Sequence, residues 1–106
     1  MNRRTITRHN ITFASDKLYK FCRDNGIKKL SLFGSILRDD FGPESDIDML
    51  VEFMPGEIVG FFRLSRIERS LSDISGGRKV DLRTPEDLSG YFREKVVAES
   101  EELYVH

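Results

Sequence analysis

The chain has 106 residues, the common size of one domain with a modest hydrophobic core. Hydrophobic residues make up 39% and charged residues 33%, with three prolines and no repetitive stretch, which marks an ordinary globular chain rather than a disordered one. Seventeen basic and eighteen acidic residues leave a formal charge of −1, so the molecule offers no broad positive field to a nucleic-acid backbone, and direct nucleic-acid binding is not expected. No apolar run approaches the length of a membrane span, and the polar, basic opening residues lack the apolar stretch of a leader. A cytoplasmic protein with no membrane partner is therefore expected. Cys22 is the only cysteine, which excludes an internal disulfide and a cysteine cluster for zinc.

Residues 1–14 hold the one candidate basic patch, with Arg3, Arg4, Arg8 and His9 close together, and read as a solvated, flexible N-terminal segment ahead of a domain over 15–106. Ser15-Asp16 caps a helix of about three turns whose Leu18, Phe21 and Cys22 share a face, with Gly26 as its stop. Cys22 in that setting is a buried small hydrophobe rather than a reactive thiol. Ile27 to Phe33 reads as a strand running into a glycine turn at Gly34-Ser35, followed by a short helix from Ile36 to about Asp40.

Phe41-Gly42-Pro43-Glu44-Ser45 is turn chemistry, and it delivers the chain into the clearest strand. There Ile47, Met49, Val51 and Phe53 alternate with Asp46, Asp48, Leu50 and Glu52. After a loop at Pro55-Gly56, Phe61, Leu64, Ile67, Leu71 and Ile74 recur at helical spacing, and Gly76-Gly77 ends that helix. Lys79 to Arg83 reads as a third strand. Thr84-Pro85-Glu86-Asp87 then opens a last helix through Leu88, Phe92 and Val96, with Glu99 to Leu103 as its continuation. The order predicts an α/β (α+β) domain with a small mixed sheet and flanking helices.

The chemistry lies in Gly34-Ser35 followed, after ten intervening residues, by Asp46-Ile47-Asp48. Side chains on a strand alternate, so Asp46 and Asp48 project from one face and their carboxylates can converge. At about 4 Å two carboxylates repel by roughly 4 kcal/mol at an effective dielectric near 20, which favours a cation between them. Few, hard oxygen ligands suit Mg²⁺ or Mn²⁺ carrying nucleotide phosphates. If the third strand lies beside the second, Asp81 joins that face, and three acids on a rigid sheet suit two-metal phosphoryl transfer. Asp81 would then help deprotonate the incoming hydroxyl.

A glycine after a strand lets the backbone approach a phosphate, and the Ser35 hydroxyl can donate to a phosphate oxygen. Arg38 either faces the triphosphate or braces the acidic loop. Alone, Asp-x-Asp is ordinary turn capping and Gly-Ser an ordinary turn. Their spacing between a strand and an apolar strand is what singles them out. Glu52, on the same face, reads as a solvated or salt-bridged strand end.

The run LFGSILRDDFGPESDIDMLVEF, from Leu32 to Phe53, resembles the DNA polymerase β-like nucleotidyltransferase superfamily, and specifically its minimal nucleotidyltransferase (MNT) branch. The resemblance extends through GRKVDLRTPEDL at Gly77 to Leu88 and the ending ELYVH, covering roughly residues 15–106. It implies Gly34 and Ser35 as nucleotide-binding residues, Asp46 and Asp48 as metal ligands and Asp81 as the third carboxylate. It also implies an antitoxin of a type VII-like HEPN/MNT pair, transferring AMP from Mg-ATP to a tyrosine of a HEPN-domain ribonuclease toxin, with two Mg²⁺ ions expected. Where the branch often has Ala-Arg-Gly, this chain has Leu37-Arg38-Asp39, keeping the arginine and adding a charge near the phosphates. A binding-only antitoxin, or a transferase acting on a small molecule or RNA, stand as the alternatives.

Overall fold

The computed structural model describes residues 6–13 and 15–106. A hairpin of β1 (Ile6–Arg8) and β2 (Ile11–Phe13) precedes α1 (Ser15–Asp24), β3 (Ile27–Phe33) and a 3₁₀ turn at Gly34–Leu37. β4 (Ile47–Phe53), α2 (Phe61–Ile74), β5 (Val80–Arg83), a 3₁₀ turn at Pro85–Asp87, α3 (Gly90–Glu99) and β6 (Glu101–Val105) follow. The main sheet runs β5-β4-β3-β6. Its β3–β4 and β3–β6 pairs are antiparallel, and β4–β5 is parallel. A parallel neighbour needs a crossover, and α2 supplies it. Among the described residues no helix is long and apolar enough to cross a membrane.

The alternation of β4 decides what each face of the sheet does. Ile47, Met49 and Val51 are fully buried with Leu30 and Leu32 of β3, Leu18 and Cys22 of α1, and Ile67 and Leu71 of α2. The opposite face carries Asp48 and Leu50, and there Leu50 and Phe33 pack with Leu88 and Val96 in a small separate cluster. α2 stops where expected: the Ser75 N–H donates to Leu71 and Ser72, the Gly77 N–H to Ser72 at 2.9 Å, and both glycines take the left-handed backbone that L side chains disfavour.

Four expectations change. Residues 6–13 of the expected flexible segment form a hairpin, because Ile11 and Phe13 alternate with Thr12 and bury their side chains. Its two-residue turn, His9-Asn10, takes positive φ at both positions, which suits the twist of a tight hairpin. Arg8 pairs with Glu101 and His9 stacks on Phe41 at 4.8 Å, so these two basic groups are engaged within the fold. Arg3 and Arg4 lie outside the described residues.

The helix expected from Ile36 to Asp40 is instead the tight turn Gly34–Leu37, after which Arg38 is extended. The helix expected from Thr84 begins at Gly90; Thr84 and Asp87 close only one 3₁₀ turn, with the Thr84 N–H donating to Asp87 Oδ2 at 3.0 Å. Finally, Glu101–Val105 is a strand, not a helical continuation. Ser100 is extended, and the free edge of β3 recruits the segment, burying Leu103 and Tyr104. Pairing with a sheet edge overrides the local helical preference of its glutamates.

Candidate active site

The site forms where β3 ends and β4 begins. In the antiparallel register Phe33 lies opposite Asp48, so the turn after Phe33 opens directly beside that carboxylate. Gly34 has φ +77, and a Cβ there would overlap an Asp48 carboxylate oxygen and stand 3.2 Å from its carboxyl carbon. Both the left-handed backbone and the nearby Asp48 carboxylate favour glycine at this point. The Ser35 carbonyl accepts the Arg38 N–H at 2.9 Å, which closes the turn.

β5 lies beside β4, the adjacency on which Asp81 depended. Asp48 pairs in register with Asp81, one row after Ile47 with Val80. Paired residues on neighbouring strands share a face at a strand spacing of about 4.8 Å. Asp46 sits just ahead of β4, where the Ile47 N–H donates to the Lys79 carbonyl at 2.8 Å. The loop that carries Asp46 is held by Arg78. Its Nη2 donates to the Gly42 carbonyl at 2.9 Å and the Ser45 carbonyl at 2.8 Å, and its guanidinium lies 4.7 Å from the Phe41 ring centroid.

Burial first, and then the Asp81 and Asp46 carboxylates, push the Asp48 carboxyl above the ordinary aspartate range, with Arg83 and Arg38 opposing. The three acids therefore share one electrostatic neighbourhood. They do not converge on a single point. Asp81 is forked by Arg83, Nε to Oδ1 at 3.1 Å and Nη2 to Oδ2 at 3.2 Å, and Asp46 Oδ2 lies 3.8 Å from Lys79 Nζ. Among the described residues no three acidic, histidine or cysteine groups form a closed ion-binding cluster as they stand. The chemistry of the set nonetheless fits a hard divalent cation: oxygen donors in mutual repulsion, with two exposed basic side chains serving as counter-charges.

A cleft of about 350 Å³ opens over Asp48 and the Gly34-Ser35 turn, within the range of small-molecule sites. Arg38 lines it from one side, although its Nε bonds Asp40 Oδ1 at 3.2 Å, so its present contact is the structural ion pair. α3 supplies the other wall with Phe92 and Lys95. Lys95 forms no ion pair with another described residue, and Phe92 is half exposed. Sequence reasoning missed both, and also Arg83. The i, i+2 spacing of Asp81 and Arg83 on a strand could have revealed the pair, whereas Lys95 and Phe92 depend on how α3 folds back over the sheet.

The matching family model, "Polymerase beta, Nucleotidyltransferase", spans residues 16–106. The chain belongs to this nucleotidyltransferase family. Among curated proteins it is 31% identical over 91 residues to Methanocaldococcus jannaschii "Putative protein adenylyltransferase MJ0435", covering 86% of this chain and 95% of that one. A toxin–antitoxin structure with AMP-PNP superposes with a TM-score of 0.67 at 23% identity, over 87% of this chain and 73% of that one. A complex of tri-AMPylated Shewanella oneidensis HEPN toxin with MNT antitoxin gives a TM-score of 0.60 at 23% identity, over 87% and 70%. At these identities the structural likenesses show the fold.

Proposed function

We propose that this protein is the antitoxin of a HEPN/MNT pair and transfers AMP from Mg-ATP to a tyrosine hydroxyl of its HEPN-domain partner, inactivating it. The observation that carries the reading is the in-register pairing of Asp48 with Asp81 beside a turn whose positive φ and close approach to Asp48 favour glycine. The adenylyltransferase relative and the fold shared with toxin–antitoxin structures support the choice of AMP and of a protein acceptor.

Asp46, Asp48 and Asp81 would hold the Mg²⁺ ions. Bound there, Mg²⁺ would offset charge developing on the phosphates and on the leaving pyrophosphate. The Ser35 hydroxyl and the backbone after Gly34 would hold phosphate oxygens. Lys95, and Arg38 once released from Asp40, would balance the triphosphate charge, with Phe92 against the base or ribose. The acceptor oxygen attacks the α-phosphorus, its bond to phosphorus forms as the α–β phosphoanhydride bond breaks, and its proton passes to Asp81. Arg83, forked with Asp81 at rest, would release its oxygens for that role.

Incubating the purified protein with Mg-ATP and its cognate HEPN-domain partner should yield a partner heavier by one or more AMP units by mass spectrometry. The Asp48→Asn protein should give none. An active, purified partner left unmodified by the wild-type protein would sink the reading.

A further inference from the structure

A second cleft, of about 510 Å³, opens beside the first and shares no lining residue with it. Asp81 and Arg83 of β5 line it on one side, Phe61, Leu64 and Glu68 of α2 on another, and Asp87 closes its end. Asp48 borders the first cleft and Asp81 the second, and these two residues are register partners on adjacent strands. The row of acids thus divides a donor side from an open acceptor side.

The segment that leads into the second cleft is apolar and exposed. Ile58, Phe61 and Phe62 are 89%, 77% and 85% accessible, and the two phenylalanine rings meet edge to face at 5.8 Å. Scattered apolar residues are ordinary on a protein surface, but Phe61 lines the cleft, Phe62 packs against Phe61 and Ile58 lies three residues before it, and three large exposed ones in one short segment mark a contact surface. A small hydroxylated acceptor would fill the cleft yet leave Ile58 and Phe62 in water, whereas a protein surface covers them.

The charge narrows the partner. Arg83 is forked with Asp81 and also feels Asp87, but among the described residues it is the one cation lining the cleft against Glu68, Asp81 and Asp87, so the cleft presents an acidic excess. Glu68 also fixes the mode of entry. Its Oε2 accepts the Leu82 N–H at 2.8 Å, occupying a donor on the outer edge of β5 and obstructing addition of a partner strand there. Entry by side chains is thereby favoured over strand addition.

We infer that the surface formed by Ile58, Phe61 and Phe62 together with the Asp81 cleft docks a basic, apolar segment of a partner protein and delivers that segment's hydroxyl to Asp81. The inference rests on the transfer reading above, and it adds the place, the charge and the manner of acceptor entry. Phe61 and Phe62 are exposed, so polar replacements there leave the core untouched.

The test titrates ¹⁵N-labelled protein with the blocked peptide Lys-Leu-Tyr-Leu-Arg and with its acidic counterpart Glu-Leu-Tyr-Leu-Glu, following backbone amides by NMR. The basic peptide should produce saturable shifts at Phe61, Leu64, Ser65 and Arg83. Affinity should fall at least about tenfold for the acidic peptide and for the Phe61→Ser/Phe62→Ser double variant. No saturable binding, shifts centred elsewhere, or equal affinity for the double variant would overturn the docking surface. So would concentration-dependent dimerisation in sedimentation velocity that the same substitutions abolish, because the occupant would then be a second copy. Parallel mass spectrometry with Mg-ATP separates the two claims. Peptide binding at these residues without AMP transfer counts against the transfer reading alone, and AMP transfer to the peptide that is indifferent to the double variant counts against the docking surface alone.

Discussion

The two faces of the sheet are built from the same strands and end up with opposite properties. On one face, α1 and α2 bury an unbroken layer that includes Leu30, Leu32, Ile47, Met49, Ile67 and Leu71. On the other, Phe33, Leu50, Leu88 and Val96 form the buried cluster among the described residues, and beyond them the face opens onto Asp48 and the first cleft. The single alternation of β4 produces both outcomes, since Ile47 and Met49 point one way and Asp48 the other. The site lies where the second layer is incomplete, which leaves charged groups partly hydrated and leaves room for a ligand.

The largest expected contrast is in stability. Leu71 is fully buried in the closed face, whereas Leu88 belongs to the small cluster at the edge of the open one. Leu71→Ala should cost about 3–5 kcal/mol in urea unfolding and Leu88→Ala about 2 kcal/mol or less, because a loosely covered site collapses more readily around a cavity. Equal costs would mean that the open face is packed as well as the closed one.

A smaller contrast concerns pH. Burial and like charge hold the Asp48 carboxyl above its ordinary value, so its ionised form costs the folded state stability. That cost is absent below the unfolded aspartate value of about 3.9, where the group is protonated in both states, and it grows as the pH rises through the folded value. In buffer with EDTA, Asp48→Asn should therefore melt higher than the wild-type protein at neutral pH, with the gap closing in acid. A gap that widens in acid would show that Arg83 and Arg38, not burial and the other acids, dominate the field at Asp48.

This division also explains what the sequence made legible. Strands β3 to β5 and helix α2 follow from alternation and 3.6-residue periodicity, which local sequence records directly. Asp46 and Asp48 were visible because their spacing from Gly34-Ser35 sits between two strand patterns. Asp81 was visible only conditionally, since parallel pairing of β4 with β5 is a non-local fact. β6 was misread because its strand character comes from the edge of β3 rather than from its own glutamates. The hairpin at residues 6–13 was lost in a basic stretch whose apolar positions are few. Lys95 and Phe92 carry no local mark, because their place over the cleft depends on the packing of Val96 against the open face.

The central claim is that the open face at Asp48 is a nucleotide–metal site, and binding tests it without requiring any acceptor. Mn²⁺ titrated into protein with ATP, followed by electron paramagnetic resonance, should show a protein-bound Mn²⁺–ATP population in the wild-type protein. Asp48→Asn should lower that affinity by at least about tenfold, or roughly 1.4 kcal/mol, while leaving the fold intact by circular dichroism. Mn²⁺–ATP binding equal in the two proteins would contradict the account.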